Sequence, residues 1–287
     1  MAGMDAAATA RVERLTPLVR RVLAPNPSPF TFTGTQTYIV GEGQVAVIDP
    51  GPQIASHIEA LLDAVADVEV TAIICTHTHR DHSPASRPLQ QATGAPIVGC
   101  APLTLEDEGP RADEAFDIDY RPDRVLGDEE RIGGDGWSLE AVATPGHTSN
   151  HLCFSLPEEG ALFTGDHVMG WSTTVVAPPD GDMAAYMASL DRLLARADSV
   201  YYPAHGPLIE APHAHVRRLV EHRGGRERQI LGHLAAGERR IEPMVAEMYA
   251  DIDPRLHPAA ARSVLAHLLD LEARGIVCRD GTEWSIA

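Results

Sequence analysis

The chain has 287 residues, 44% of them hydrophobic and 22% charged, ordinary values for a soluble globular protein with one large domain or one large and one small. It lacks any apolar run long enough to span a bilayer, and its first ten residues carry Asp5 without a basic region leading into an apolar stretch, so neither a membrane span nor a secretory signal is expected. All 23 basic residues are Arg and the net charge is −18, which repels polyanions at long range and disfavours nonspecific nucleic-acid binding.

The first half alternates β-rich and helical stretches. Residues 44–48 read as a buried strand ending at Asp49-Pro50-Gly51, residues 52–65 as an amphipathic helix, and 70–75 as a second buried strand. Residues 83–92 look helical and stop at Gly94, and 96–98 give another strand. Residues 105–119 hold seven acids against one Arg and read as a surface excursion. Strands follow at 137–143, 151–156 and 161–164, then a helix at 183–197 and a short strand at 200–202. This order predicts an α+β fold with two sheets packed together and helices on the outside. From about His213 the pattern becomes three helices, near 213–235, 242–250 and 258–274. A hairpin turning at Asp280-Gly281 follows, which describes a winged-helix module. The expected division is a catalytic domain over 1–222 and a winged-helix-like domain over 223–287.

The strand at 70–75 delivers the chain into His77-Thr78-His79-Arg80-Asp81-His82. Three imidazoles and a carboxylate in one short turn repay their crowding when they hold a divalent metal, since zinc, iron and manganese accept these donors. Three later loops, each at a strand exit, end in a further candidate ligand: Thr144-Pro145-Gly146-His147, Thr164-Gly165-Asp166 and Pro203-Ala204-His205-Gly206. Loops held by a rigid sheet are where binding residues collect. Four cysteines, Cys75, Cys100, Cys153 and Cys278, stand singly with neither metal nor redox spacing, which fits small buried side chains in a reducing, cytoplasmic compartment.

On these residues the sequence resembles the metallo-β-lactamase-fold hydrolases over nearly its whole length, and implies their four-layer αβ/βα sandwich. The resemblance implies that His77, His79 and His147 hold one metal, that Asp81, His82 and His205 hold a second, and that Asp166 bridges them. Within the superfamily the chain is similar to the β-lactamase-like group that includes a mitochondrial endoribonuclease. The similarity lies in residues 76–82, in the run 165–175, in Glu221-His222-Arg223 and in the winged-helix end. Where members of that group commonly carry Gly after the Asp-His-Ser step, this chain has Pro84-Ala85, for which an altered start of the next helix is expected.

The expected reaction is hydrolysis by a hydroxide shared between two divalent ions, zinc first and iron or manganese next, with Asp81 ligating, orienting and accepting the proton. Asp49 is read either as an acceptor for a ligand His N–H or as a strand-to-turn cap. His151 is read as structural, and His167 and Arg80 as packing residues or substrate contacts. The favoured substrate is a small ester or thioester. Phosphodiester cleavage of single-stranded RNA is the alternative, weakened because residues 226–287 hold eight Arg against ten acids. The expected third helix would present Arg262, His267, Asp270, Glu272 and Arg274, a poor phosphate-reading face. β-Lactam hydrolysis is less favoured because true β-lactamases usually lack the carboxylate at Asp166. Mononuclear-iron persulfide oxidation is a further, less favoured reading, and a di-iron redox site is disfavoured because relatives of that kind typically carry Glu at the position of His79.

Overall fold

A computed structural model of the protein describes residues 11–103, 116–251 and 253–287. The first sheet is built from β1 (Glu13–Arg14), β2 (Val19–Leu23), β3 (Gln36–Gly41), β4 (Gln44–Ile48), β5 (Glu69–Cys75), β6 (Ile97–Gly99) and β7 (Arg124–Val125), in chain order. Pairing is antiparallel from β1 to β4 and parallel from β4 to β7. Parallel neighbours need a crossover, and α1 (Ala55–Ala64) and α2 (Ser86–Thr93) supply the first two. The second sheet comprises β8 (Arg131–Gly134), β9 (Trp137–Ala143), β10 (Leu152–Leu156), β11 (Ala161–Gly165) and β12 (Val200–Pro203). It is antiparallel except where β11 meets β12 across the helix α3 (Met183–Leu194).

Side-chain alternation along the second sheet sets the layers. Leu152, Phe154, Leu156, Phe163 and Tyr202 join the core shared with the first sheet, while Val142, Cys153, Leu162 and Tyr201 pack with α3 and the start of α4 (Pro212–Ala235). Both faces of β10 are buried, which is why its sequence reads as a continuous apolar run. A third core, with Ile230, Leu234, Met244, Leu268, Leu271 and Trp284, joins the end of α4 to α5 (Ile241–Met248), α6 (His257–Ala273) and the hairpin β13 (Val277–Asp280) and β14 (Glu283–Ile286). The expected 222/223 division falls inside α4, a continuous helix whose Val216 and Leu219 belong to the second core and whose Ile230 and Leu234 belong to the third.

β4 and β9 coincide with the predicted strands. Both early helices start three residues late. Ile54 before α1 is extended, and Ser83-Pro84-Ala85 form a turn in which Ala85 N–H donates to Gly51 O before α2 begins. β1, β2, β3, β7 and β8 were not read from the sequence. One exposure expectation is overturned: His267 is buried, because α6 packs on α3 and α4 as well as on α5. The acidic excursion at 105–119 lies outside the described residues up to 115. Its end is described: Asp117 N–H donates to Thr78 O, and Ser83 Oγ donates to the Asp117 carboxylate at 2.8 Å.

Candidate metal centre

Five strand exits converge at one end of the sandwich: Asp49 after β4, the His turn after β5, His147 after β9, Asp166 after β11 and His205 after β12. They form two donor groups, His77, His79, His147 and Asp166 in one, and Asp81, His82, Asp166 and His205 in the other, all buried. In the first, His79 Nδ1 lies 2.9 Å from His77 Nε2 and 3.1 Å from His147 Nε2, and Asp166 Oδ2 lies 4.0 and 3.7 Å from the latter two. In the second, Asp81 Oδ2 lies 3.0 Å from His205 Nε2 and 3.3 Å from His82 Nε2. Asp166 reaches the same two nitrogens at 3.2 and 3.5 Å, through Oδ1 and Oδ2 respectively.

Donor spacings near 3 Å match the edges of a coordination shell whose metal–ligand bonds are about 2.0–2.2 Å. Asp81 Oδ1, Asp166 Oδ1 and His82 Nε2 are buried with no hydrogen-bond partner among the described residues. A cation between them would satisfy these atoms together. The residues therefore fit two ions sharing Asp166.

The rings are held in the tautomer that such binding needs. The Thr76 hydroxyl donates to Asp49 Oδ2 at 2.8 Å and accepts from His77 Nδ1–H at 3.0 Å, leaving Nε2 with a lone pair. His82 Nδ1–H donates to Asp49 at 2.9 Å, His147 Nδ1–H to Val175 O at 2.7 Å, and His205 Nδ1–H to Gly34 O at 3.3 Å. Asp49, which also accepts from Thr76 N–H at 2.8 Å, follows β4 with a positive φ of 48° and contacts the His82 ring directly and the His77 ring through Thr76. The loop carrying His205 is gripped from the facing sheet, where Gln36 Nε2 donates to Pro203 O and Gly206 O and Tyr38 OH donates to Pro203 O.

Burial opposes charge throughout the cluster. In His77 it prevails, aided by His82 and His79, and in His79 by His147, so both sit well below the usual histidine range. Burial would raise the two carboxyls, but His82 and His205 hold Asp81 and Asp166 well below the usual carboxylate range. Burial also works against a charged His82 and a charged His205. The carboxylates overcome it, raising His82 well above its ordinary value and pushing His205 up to about 10. The two aspartates therefore demand positive charge, supplied by protons when no metal is bound.

His151 is buried and structural. Its Nδ1–H donates to Thr144 Oγ1 at 2.9 Å, and its Nε2 accepts the backbone N–H of Asp166 at 3.2 Å. His167 is buried against Tyr186, its ring centre 4.9 Å away, and burial pushes it down to about 3. Arg80 is exposed and donates to Phe116 O at 3.3 Å. Neither lines the cavity above the cluster.

That cavity, about 300 Å³, has His79, Asp81, His147, Asp166 and His205 at one end and the C-terminal helices at the other. Its far wall includes His222, Arg223 and Arg226 of α4 and Ala259, Ala260 and Ser263 of α6. The charge of this wall does not show in the tail's overall count, which from Arg226 on is eight Arg against ten acids, whereas His222, Arg223 and Arg226 share one side of a helix by their spacing.

Residues 30–205 match the family described as "Metallo-beta-lactamase superfamily", and residues 241–284 match "Beta-lactamase associated winged helix domain". The chain is 33% identical over 275 residues to the Beta-lactamase-like protein 2 homolog of Caenorhabditis elegans, covering 94% of this chain and 87% of that protein. It is 33% identical over 257 residues to a protein of Claviceps purpurea named Atrochrysone carboxyl ACP thioesterase, covering 84% and 74% respectively. Its fold is similar to the crystal structure of a Beta-lactamase domain protein from Burkholderia ambifaria, with a TM-score of 0.80 at 19% identity over 98% of this chain and 94% of that one. With its two sheets, its covering helices and the donor groups at their common end, the chain belongs to the metallo-β-lactamase superfamily and ends in a winged helix domain of the kind associated with it.

Proposed function

We propose that this metal-dependent hydrolase cleaves a small ester or thioester, using two zinc ions held by His77, His79 and His147 on one side and Asp81, His82 and His205 on the other, with Asp166 shared. Iron and manganese suit the same donors. The observation that carries the reading is the pair of buried donor groups sharing one carboxylate at one end of a cavity. With two carboxylates among these donors, a bound pair of divalent ions would leave the centre net positive and would supply a lowered water pKa, from 15.7 toward about 7, and stabilisation of a developing oxyanion.

The chain's own residues do the rest. Asp81 lines the cavity and has an oxygen free of any partner among the described residues, which places it to accept a proton from the attacking water. Asp49, Val175 and Gly34 keep four imidazoles presenting Nε2. Phe30, Met169, Val175 and Leu256 along the cavity exclude water from the acyl chain.

The thioester choice is supported by the thioesterase-named relatives, one of them 35% identical over 237 residues, and by the net charge of −18, which works against RNA. No helix among the described residues is long and apolar enough to cross a membrane. The proposed setting is the cytoplasm, on the free, buried thiols of Cys75, Cys100 and Cys153. The domain division we propose keeps residues 1–222 as the catalytic unit, with 223–287 forming a cavity wall as well as the winged helix. The test is a hydrolysis screen of the metal-loaded protein against acyl thioesters, lactones, β-lactams and single-stranded RNA. Thioester turnover that is abolished by a chelator and insensitive to salt is expected. Turnover of RNA alone, falling steeply with salt, would replace the reading with the endoribonuclease one.

A further inference from the structure

The far wall of the cavity carries positive charge that no carboxylate among the described residues answers. Arg223 is only 3% exposed. One nitrogen, Nη2, donates to Thr174 O, the guanidinium lies 5.1 Å over the Tyr186 ring, and Nε is buried without an acceptor. Arg226 lies 4.1 Å over the Tyr249 ring and donates from Nη1 to Met248 O and Gln229 Oε1, both at 2.9 Å; its Nε is likewise buried and unmatched. Neither guanidinium forms an ion pair among the described residues, although the chain carries 41 acids against 23 Arg. The carboxylates lining the cavity are Asp81 and Asp166, at the metal end.

A buried cation without a counter-charge is costly, and a guanidinium with most of its five N–H groups unused is shaped for a carboxylate or phosphate. The neighbouring histidines add no charge. Burial and then the two guanidiniums push His222 down to about 4, and burial with Arg223 foremost among its charged neighbours pushes His267 down to about 3.

We propose that Arg223 and Arg226 bind an anionic group, a carboxylate or a phosphate, carried by the substrate at the end remote from the bond that is cleaved. This inference rests on the thioester reading above and narrows it: the substrate spans the cavity with its scissile carbonyl at the donor groups and its charge against α4. Arg226 supplies the unmatched edge of its guanidinium from a half-buried position, and Arg223 supplies the charge that its single carbonyl contact leaves uncompensated.

The test uses the full-length, metal-loaded protein and three thioesters. Butanoyl-N-acetylcysteamine is neutral, glutaryl-N-acetylcysteamine carries a carboxylate on the acyl side, and butanoyl-4′-phosphopantetheine carries a phosphate on the thiol side. The wild-type protein is expected to favour one charged thioester over the neutral one by about tenfold or more in kcat/KM, and which one identifies the source of the anion. Arg226→Gln and Arg223→Lys should each cut that ratio about tenfold, mainly through KM, and a ratio unchanged in both variants overturns the anion site while leaving thioester hydrolysis standing. Calorimetric titration with glutarate and with inorganic phosphate, on wild-type and Arg226→Gln proteins both loaded with metal, provides a readout independent of turnover. Binding that weakens in the variant supports the anion site even if no thioester is hydrolysed, an outcome that would overturn the thioester reading alone.

Discussion

The carboxylate of Asp49 lies 2.9 Å from Nδ1 of His82 and is tied at 2.8 Å to both the backbone N–H and the hydroxyl of Thr76. Because that hydroxyl in turn accepts from His77 Nδ1, one buried side chain outside both donor groups sets the ring orientation of a histidine in each. Its backbone belongs to the same arrangement: Asp49 N–H donates to Ile74 O, fixing the end of β4 against the strand that leads into the His turn.

Asp49→Asn keeps the size of the side chain but puts a donor where His82 and Thr76 both need an acceptor. Metal affinity should fall about 10–100-fold, as it does when such supporting groups are lost. Competition with a chromophoric chelator measures it. Affinity equal to wild type would mean that the His82 and His77 rings are held by something other than this carboxylate.

Asp166 touches both donor groups, whereas His205 touches one. Asp166→Ala should therefore lower the content of both metals and abolish turnover, while His205→Ala should cost chiefly one. Elemental analysis of the purified variants separates the two cases. A full-rate Asp166→Ala enzyme would remove the shared-ligand assignment.

The donor residues could be read in the sequence because four of them crowd one turn, Asp166 and His205 end the largely buried strands β11 and β12, and His147 follows β9, whose alternating burial is itself a strand signature. Of the groups that support them, Asp49 could be read and the others could not. Thr76, Val175 O and Gly34 O act through single polar contacts with no pattern of their own, and His57 meets Pro50 O only after α1 has folded back on the turn. β3 was overlooked although it is buried throughout, since Gln36, Thr37 and Tyr38 make it look polar; Gln36 and Tyr38 spend their polar atoms on the His205 loop. The cationic wall arises only when α4 lies against the cavity.

His57 is buried beneath the Asp49 turn, its Nε2–H shared between Pro50 O at 3.0 Å and Thr37 Oγ1 at 3.1 Å, and burial pushes it down to about 4. Its folded pKa is below its unfolded value, so the unfolded chain binds the proton more readily. The contribution to stability is complete above about pH 6.5 and is lost as the pH falls toward 4. The full loss is roughly 3 kcal/mol. His57→Gln, which can still donate to Pro50 O, should flatten the fall in unfolding free energy between pH 7 and 4. Parallel curves for variant and wild type, measured by urea denaturation, would contradict the assignment.

Gly165, immediately before Asp166, adopts φ +49°, and a Cβ there would lie 2.7 Å from both His151 Nε2 and Thr76 Oγ1. Those two atoms hold the Asp166 backbone and the His77 ring, so Gly165→Ala strikes the donor groups through their supports. Gly94→Ala is the matched control: φ is +75° at the end of α2, and nothing lies within 4 Å of the new methyl. Both changes carry the left-handed backbone cost of about 1–2 kcal/mol. The excess destabilisation of Gly165→Ala over Gly94→Ala, about 1–3 kcal/mol for overpacking a filled site, should come with loss of bound metal and of turnover, while Gly94→Ala keeps both. Thermal unfolding with metal analysis of each variant checks this, and a Gly165→Ala protein that matched the control in metal content would mean that the His151 and Thr76 contacts do not position the donors.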